Sequence, residues 1–455
     1  MLVLGAQRET PALAPLVPLP LRIMSQSHPA HPTNGLLTRP PLADGAPVPR
    51  VAEAPEPAAP DEEPPPPVRR ASSGRLAGVD LARWIAIAGM LVIHFGAPFL
   101  EFDSPASSII FNYAWGRSTI LFAFLAGVSL ALVSGGARPH RGRPARTTAG
   151  RVAVRGLALM AIGWCLHLVV TAAGSNLTVI ITFYGLYFLL AVPFLRMGAR
   201  WAATAAVLTL AAGPQLLFLL RRSRDTGGAM ASFTDAWNAW DPAHLLAGQG
   251  MLELGVYGYY PALACMGAVL AGLAVGRLDL RSPVVRLRIA LGGVLLAAVA
   301  YRVSWHAWYN YGLLSALGPR EEVIGSIPTD DARWLLTSMP HTSTTIEVAG
   351  GVGVAMGVLA GCLHIAERLP RLLEPLTATG AMALTVYALH ALAMSWQAWI
   401  PDDYVGLAGW TDDNMTELFS IGSIIGAFLW RRLVGRGPLE AGVSDLGKAL
   451  ARSPN

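Results

Sequence analysis

The chain is poor in charge, in cysteine and, almost completely, in lysine. Asp, Glu, Lys and Arg make up only 14% of its 455 residues, well below the roughly 25% typical of a soluble domain. That scarcity excludes an ordinary soluble enzyme. The three cysteines, Cys165, Cys265 and Cys362, each fall inside an apolar segment, and their spacing supports neither a disulfide framework nor a zinc site. Lys448 is the sole lysine against a large excess of arginine, which with abundant Ala, Gly and Pro points to a GC-rich bacterial genome. A phosphate-binding loop is lacking too: GGVGVAMG at 350–357 has no lysine and lies within an apolar span, where glycines allow close helix packing. A secretory signal is not expected, because LVLGAQRETPALAPLVPLPL is broken by charge and proline, and Met24 is a second candidate start. Nothing calls for nucleic acid or a metal.

What is present is apolar length. With 53% hydrophobic residues and a mean hydropathy of +0.46, the sequence predicts an all-α polytopic membrane protein whose first partner is the lipid bilayer. About ten segments are long enough to span, near 80–100, 117–134, 153–173, 177–195, 201–220, 259–276, 288–304, 344–363, 376–399 and 415–432. Arginines orient them: Arg138, Arg141, Arg143, Arg146, Arg151 and Arg155 follow the second segment, Arg277, Arg281, Arg286 and Arg288 the sixth, and Arg431, Arg432 and Arg436 the tenth. By the positive-inside rule these groups and both termini are cytosolic. The cluster Arg221, Arg222 and Arg224 falls on the other side and leaves the span near 201–220, which contains Pro214, the least secure. Residues 1–75, Pro-rich and without apolar periodicity, read as a disordered cytosolic tail; 76–436 form the membrane domain and 437–455 a short cytosolic tail. The expected location is a bacterial plasma membrane.

The connections that then face outward, near 101–116, 221–258, 305–343 and 400–414, are acidic and aromatic. FTDAWNAWDPAH, SWHAWYNY and PDDYVGLAGWTDD combine flat rings with carboxylates, a surface suited to stacking on sugars; an interfacial aromatic belt explains the same composition. Of the histidines outside the tail, His140 and His364 sit at cytosolic ends, while His167 and His390 are intramembrane and explicable as hydrogen bonds between helices. His94 stands apart. In DLARWIAIAGMLVIH at 80–94 it shares a helix face with Asp80 and Arg83: the step from Arg83 to His94 makes about three turns and rises about 16 Å. One group is thereby near a membrane surface and the other near its middle, where an ionisable residue is functional by default.

Arg83 followed by ten residues and His94 resembles the type-three membrane acyltransferases that O-acetylate bacterial surface glycans. A wider stretch is similar to bacterial proteins of the heparan-alpha-glucosaminide N-acetyltransferase type: RLAGVDLARWIAIAGMLVIHF at 75–95, WGRSTILFAFLAGVSLAL at 115–132, YGLYFLLAVPFLRM at 184–197, YGYYPALACMGAVLAGLAVGRLDL at 257–280 and MALTVYALHALAM at 382–394. The resemblance implies transfer of an acyl group, usually acetyl, from cytosolic acyl-CoA to a hydroxyl or amine of a glycan or envelope acceptor across the membrane. Acyl-CoA would be a co-substrate, with no permanently bound cofactor, and a homo-oligomer is compatible with the sequence. Such a site needs positive charge at its cytosolic mouth, for which Arg83, Arg141 and Arg143 in the arginine-rich loop are the candidates, because guanidinium binds phosphate bidentately. It also needs a deeper proton acceptor, for which His94 is the candidate, with Asp80 orienting Arg83 or the helix end. Arg117 and Ser118 are candidates for positioning the acceptor; a snorkelling arginine and a capping serine explain them as well.

The resemblance has a departure. The glucosaminide acetyltransferases carry an asparagine at the position His94 matches and place their catalytic histidine just before helix two, where this chain has FNYAWG, with Asn112 nearby. Either His94 serves alone, as in the type-three group, or His341 in MPHTSTT or His390 reaches the site from elsewhere. A multi-pass transporter or a lipid or glycan flippase would also have about ten helices and an intramembrane histidine; such folds often show repeated halves, and no internal repeat is evident. A non-catalytic membrane scaffold or sensor is the remaining class.

Overall fold

A computed structural model describes residues 75–100, 104–313, 327–400 and 406–451. Residues 1–74, including the expected tail, together with 101–103, 314–326, 401–405 and 452–455, lie outside the described residues. Every long regular element among the described residues is helical. In chain order these are α1 (Ala77–Phe95), α2 (Pro105–Ala114), α3 (Arg117–Val133), α4 (Gly142–Ala172), α5 (Ile181–Ala191), α6 (Ala199–Asp225), α7 (Ala229–Asn238), α8 (Pro242–Ala247), α9 (Ala262–Gly276), α10 (Pro283–Asn310), α11 (Thr345–Arg368), α12 (Glu374–Ala381), α13 (Ala383–Trp399), α14 (Leu407–Asp413), α15 (Met415–Leu433) and α16 (Pro438–Leu450).

All ten apolar stretches fold as helix, yet they are not ten equivalent spans. Six helices are long and apolar enough to cross a membrane, with α2 and α3 counted together, and two bent pairs raise the number to eight: α12 with α13, at 77°, and α15 with α16, at 50°. The other two, Ile181–Arg196 and α9, are shorter. Protein rather than lipid surrounds α9, nearly every residue of which is buried, so its apolar character reports a core as much as a bilayer.

Small residues set how closely the central helices approach. A Cβ on Gly272 of α9 would lie 1.8 Å from the carbonyl oxygen of Phe124 in α3, and one on Gly127 would lie 1.9 Å from that of Val269. Backbone therefore meets backbone, the arrangement that replaces the hydrophobic effect as the source of helix association in lipid. Helices α1, α3, α9 and α11 form this inner group, whereas α4, α6 and α10 keep apolar faces such as Val207, Leu208, Leu291, Val294 and Leu295 exposed, as a lipid-facing helix must.

Two local results revise the sequence reading. Helix α6 runs unbroken through Pro214, and the arginines beyond it have packing roles. Arg221 is buried and donates to the carbonyls of Val256 and Gly258 at 3.0 and 3.1 Å, while Arg224 lies over the Tyr257 ring. Both arginines therefore engage the irregular turn at Glu253–Tyr257 and the residue after it. Within the C-terminal tail, Pro438–Leu450 is a helix, α16, packed on α4 and α13. Its Glu440 accepts from the backbone N–H groups of Leu384 and Thr385 at 2.7 and 3.1 Å and from the Thr385 hydroxyl at 2.6 Å. A carboxylate from a distant segment thus caps the start of α13, where the helix dipole favours negative charge.

Candidate active site

Helix α1 organises the site as its sequence predicts, with Asp80 and Arg83 at one end and His94 at the other. Asp80 is 2% exposed and carries two guanidiniums: Arg75 Nε at 2.5 Å and Arg83 at 2.6 Å. Arg83 also donates to Ser129 Oγ of α3 at 2.6 Å. The paired carboxylate and the hydroxyl fix the Arg83 fork.

This end opens into a cavity of about 770 Å³ lined by Arg75, Arg83, Arg155, Arg431 and Arg436, with Asp80 and Glu440 as its carboxylates. Five guanidiniums face two carboxylates, and both carboxylates are already engaged, so the cavity suits a polyanion. Arg141 and Arg143, expected at this mouth, do not line it. They sit exposed around the start of α4, and the residue that reaches the cavity is Arg155, about 18 Å further along the helix.

At the other end, His94 lines a chamber of about 40 Å³ with Met90, Ser118, Thr119, Thr178, Tyr260 and His341. Phe122, Ile180 and Tyr387 line both spaces and form the partition between them. Tyr387 is pinned there, its hydroxyl accepting from the Ile180 N–H at 2.9 Å. His94 Nδ1 lies 3.0 Å from Nε2 of His390, and the two rings are stacked at 4.8 Å. His390 is fully buried beside Phe95, Tyr387 and Phe419, and its Nδ1 has no partner. The pair uses one nitrogen of His94 and leaves the other for the chamber.

His341 reaches the chamber from the loop before α11. Its ring packs on Tyr259 and Tyr260 at 5.1 and 5.4 Å. Burial, with His94 nearby, pushes this imidazole down to about 4, so it is neutral at pH 7. Both histidines that the sequence held in reserve are thus brought to His94, and three imidazoles from three segments converge. Among the described residues, no group of three or more His, Cys, Asp or Glu side chains is placed to hold a metal ion.

The acceptor-side candidates divide. Ser118 lines the chamber, with its hydroxyl donating to the Ala114 carbonyl at 3.1 Å. Arg117 is committed elsewhere: it donates to the carbonyl of Asn112 at 2.7 Å and to the Tyr301 hydroxyl at 3.1 Å, locking the elbow between α2 and α3 to α10. Asn112 is exposed and contributes only that carbonyl. His167, bonded to the Ala247 carbonyl at 2.8 Å, joins neighbouring segments.

A small histidine-containing chamber thus adjoins a basic cavity inside a multi-pass helical membrane protein. Residues 75–306, half of the chain, match the family described as heparan-alpha-glucosaminide N-acetyltransferase, catalytic, and the chain belongs to that family. Residues 322–443 match a second family, described as a protein of unknown function (DUF418). No curated protein matches the chain. The family points to a membrane acetyltransferase. The boundary between the matches runs through the site: Asp80, Arg83 and His94 belong to the first, His341 and His390 to the second.

Proposed function

We propose that this protein transfers an acetyl group from cytosolic acetyl-CoA to a hydroxyl or amine of an extracytoplasmic glycan or envelope acceptor, in a bacterial plasma membrane that the chain crosses ten times, with both termini inside. The observation that carries this reading is the adjoining pair of spaces, basic on one side of the Phe122–Ile180–Tyr387 partition and imidazole-lined on the other. Coenzyme A has matching parts: phosphates at one end and a thioester at the tip of a long arm. Arg83, Arg155 and their neighbours would hold the phosphates, while the arm passes the partition to His94, about 16 Å along α1 from Arg83.

His94 then takes the acceptor's proton as its oxygen or nitrogen attacks the thioester carbonyl. The new bond to carbon forms, the carbon–sulfur bond breaks with its electron pair leaving on sulfur, and the proton passes from His94 to the thiolate. Positioned acid/base help of this kind contributes roughly a hundred- to ten-thousand-fold.

The test is radiolabelled acetyl-CoA with purified protein and an envelope glycan extract. Label reaches the acceptor with wild type and not with His94→Ala. Arg83→Ala weakens acetyl-CoA binding about tenfold, the worth of one charge-assisted contact; unchanged affinity would remove Arg83 from the donor site. If wild type binds no CoA, a transport function replaces this reading.

A further inference from the structure

The segment matched only to a family of unknown function supplies part of the chamber, through a loop built at conformational expense. His341 and Ser343 both adopt left-handed backbone, at φ +62° and +58°, which costs a non-glycine residue about 1–3 kcal/mol. The loop also presses against the entry to α3: a Cβ on Gly116, itself at φ +74°, would lie 2.8 Å from Pro340. Such strain persists only where surrounding contacts over-determine it.

Glu347 provides them. It is 7% exposed, in the first turn of α11, and its carboxylate accepts from the backbone N–H groups of His341 and Ser343, both at 2.6 Å, and from the Thr342 hydroxyl at 3.3 Å. Thr344 Oγ1 accepts from the Glu347 N–H at 3.1 Å. A helix needs only this last bond as its cap; the carboxylate reaches past the cap to hold three loop residues whose one shared consequence is the position of the His341 ring. That ring lines the small chamber with His94 and is absent from the lining of the large basic cavity. Like His94, it lies on the chamber side of the Phe122–Ile180–Tyr387 partition.

We propose that residues 322–443 complete the reaction centre, with His341 as the acceptor-side catalytic base and Glu347 as the positioning residue that holds it. This rests on the transfer reading above and adds one station to it. The acceptor's proton goes first to His341 as the acceptor attacks the thioester carbon. The carbon–sulfur bond breaks, and the same proton passes to His94, directly or through one water, and from His94 to the thiolate. The chamber's volume is sufficient for a water in that place. One proton moves from acceptor to sulfur, and no oxidant, metal or further reactant is required.

The experiment uses the full chain in detergent with radiolabelled acetyl-CoA and glucosamine as the acceptor probe, measuring kcat and, separately, the Kd for acetyl-CoA. His341→Gln lowers kcat about a hundredfold while the Kd stays within twofold, which also shows the variant to be folded. Glu347→Gln lowers kcat about tenfold, and in the His341→Gln background it causes no further loss, because Glu347 acts through His341. A purely structural carboxylate would instead raise the Kd and lower kcat in both backgrounds alike. The inference is overturned if wild type acetylates glucosamine and His341→Gln keeps kcat within threefold of it, or if the two substitutions multiply. If wild type neither binds acetyl-CoA nor transfers label, the transfer reading itself fails and takes this inference with it.

Discussion

Replacing His390 by phenylalanine separates what this residue does for the fold from what it does for the site. The ring is fully buried among Phe95, Tyr387 and Phe419, with one nitrogen on His94 at 3.0 Å and the other unpartnered. Losing the hydrogen bond costs about 1 kcal/mol, and removing an orphaned buried polar atom returns about 1–3 kcal/mol. The slightly larger phenyl ring costs about 1 kcal/mol or more in an already packed place. These effects nearly cancel, so His390→Phe leaves stability within about 2 kcal/mol of wild type. Activity does not follow. His94 loses the contact that fixes its ring and tautomer; losing the carboxylate that does this for histidine in a serine-protease triad costs about 10⁴, and a neutral imidazole partner is worth less, so kcat falls by about ten- to a hundredfold. The assay pairs thermal melting in detergent with label transfer and acetyl-CoA binding. Binding stays unchanged, because His390 does not line the large cavity. A stable variant with wild-type kcat would reduce His390 to packing, and an unfolded one would refute the burial argument.

Gly272→Ala puts its methyl carbon 1.8 Å from the Phe124 carbonyl oxygen, forcing α3 and α9 apart at a cost of at least about 2–3 kcal/mol; Gly361→Ala, with open space around it, is the neutral control. A melt in which the two variants match would sink the close-packing argument. Stability also depends on pH through His341. Its folded-state value of about 4 lies below the ordinary ~6.5, so its contribution is complete above pH ~6.5 and is lost as pH falls from there to about 4, by at most about 3 kcal/mol given its partial exposure. His341→Gln flattens that slope, since His94 and His390 remain in both proteins; parallel slopes would show that His341 is not held neutral by the fold.

Several parts of this site can be read from local sequence. The alignment of Arg83 with His94 follows from helical period alone, and Thr344–Glu347 is a capping-box pattern just ahead of an apolar run, a signal that could have drawn attention to the loop carrying His341. Arg141 and Arg143 show the limit: arginine count locates a basic element, but which arginine faces a cavity depends on the rotation of α4 against its neighbours. Phe122, Ile180 and Tyr387 carry no signal at all, since an apolar or aromatic residue in a membrane helix looks the same whether it faces lipid, core or substrate.

By itself the sequence determined the membrane class, the helical elements and the amphipathic face of α1, because hydropathy and helical period act between residues a few positions apart. Only tertiary structure decided that His94 meets His390, 296 residues away, that His341 enters the same chamber, and that two of the expected spans are short helices. Those outcomes depend on how close glycine lets two backbones come and on which way each helix is turned when it arrives, and neither is written in any one segment.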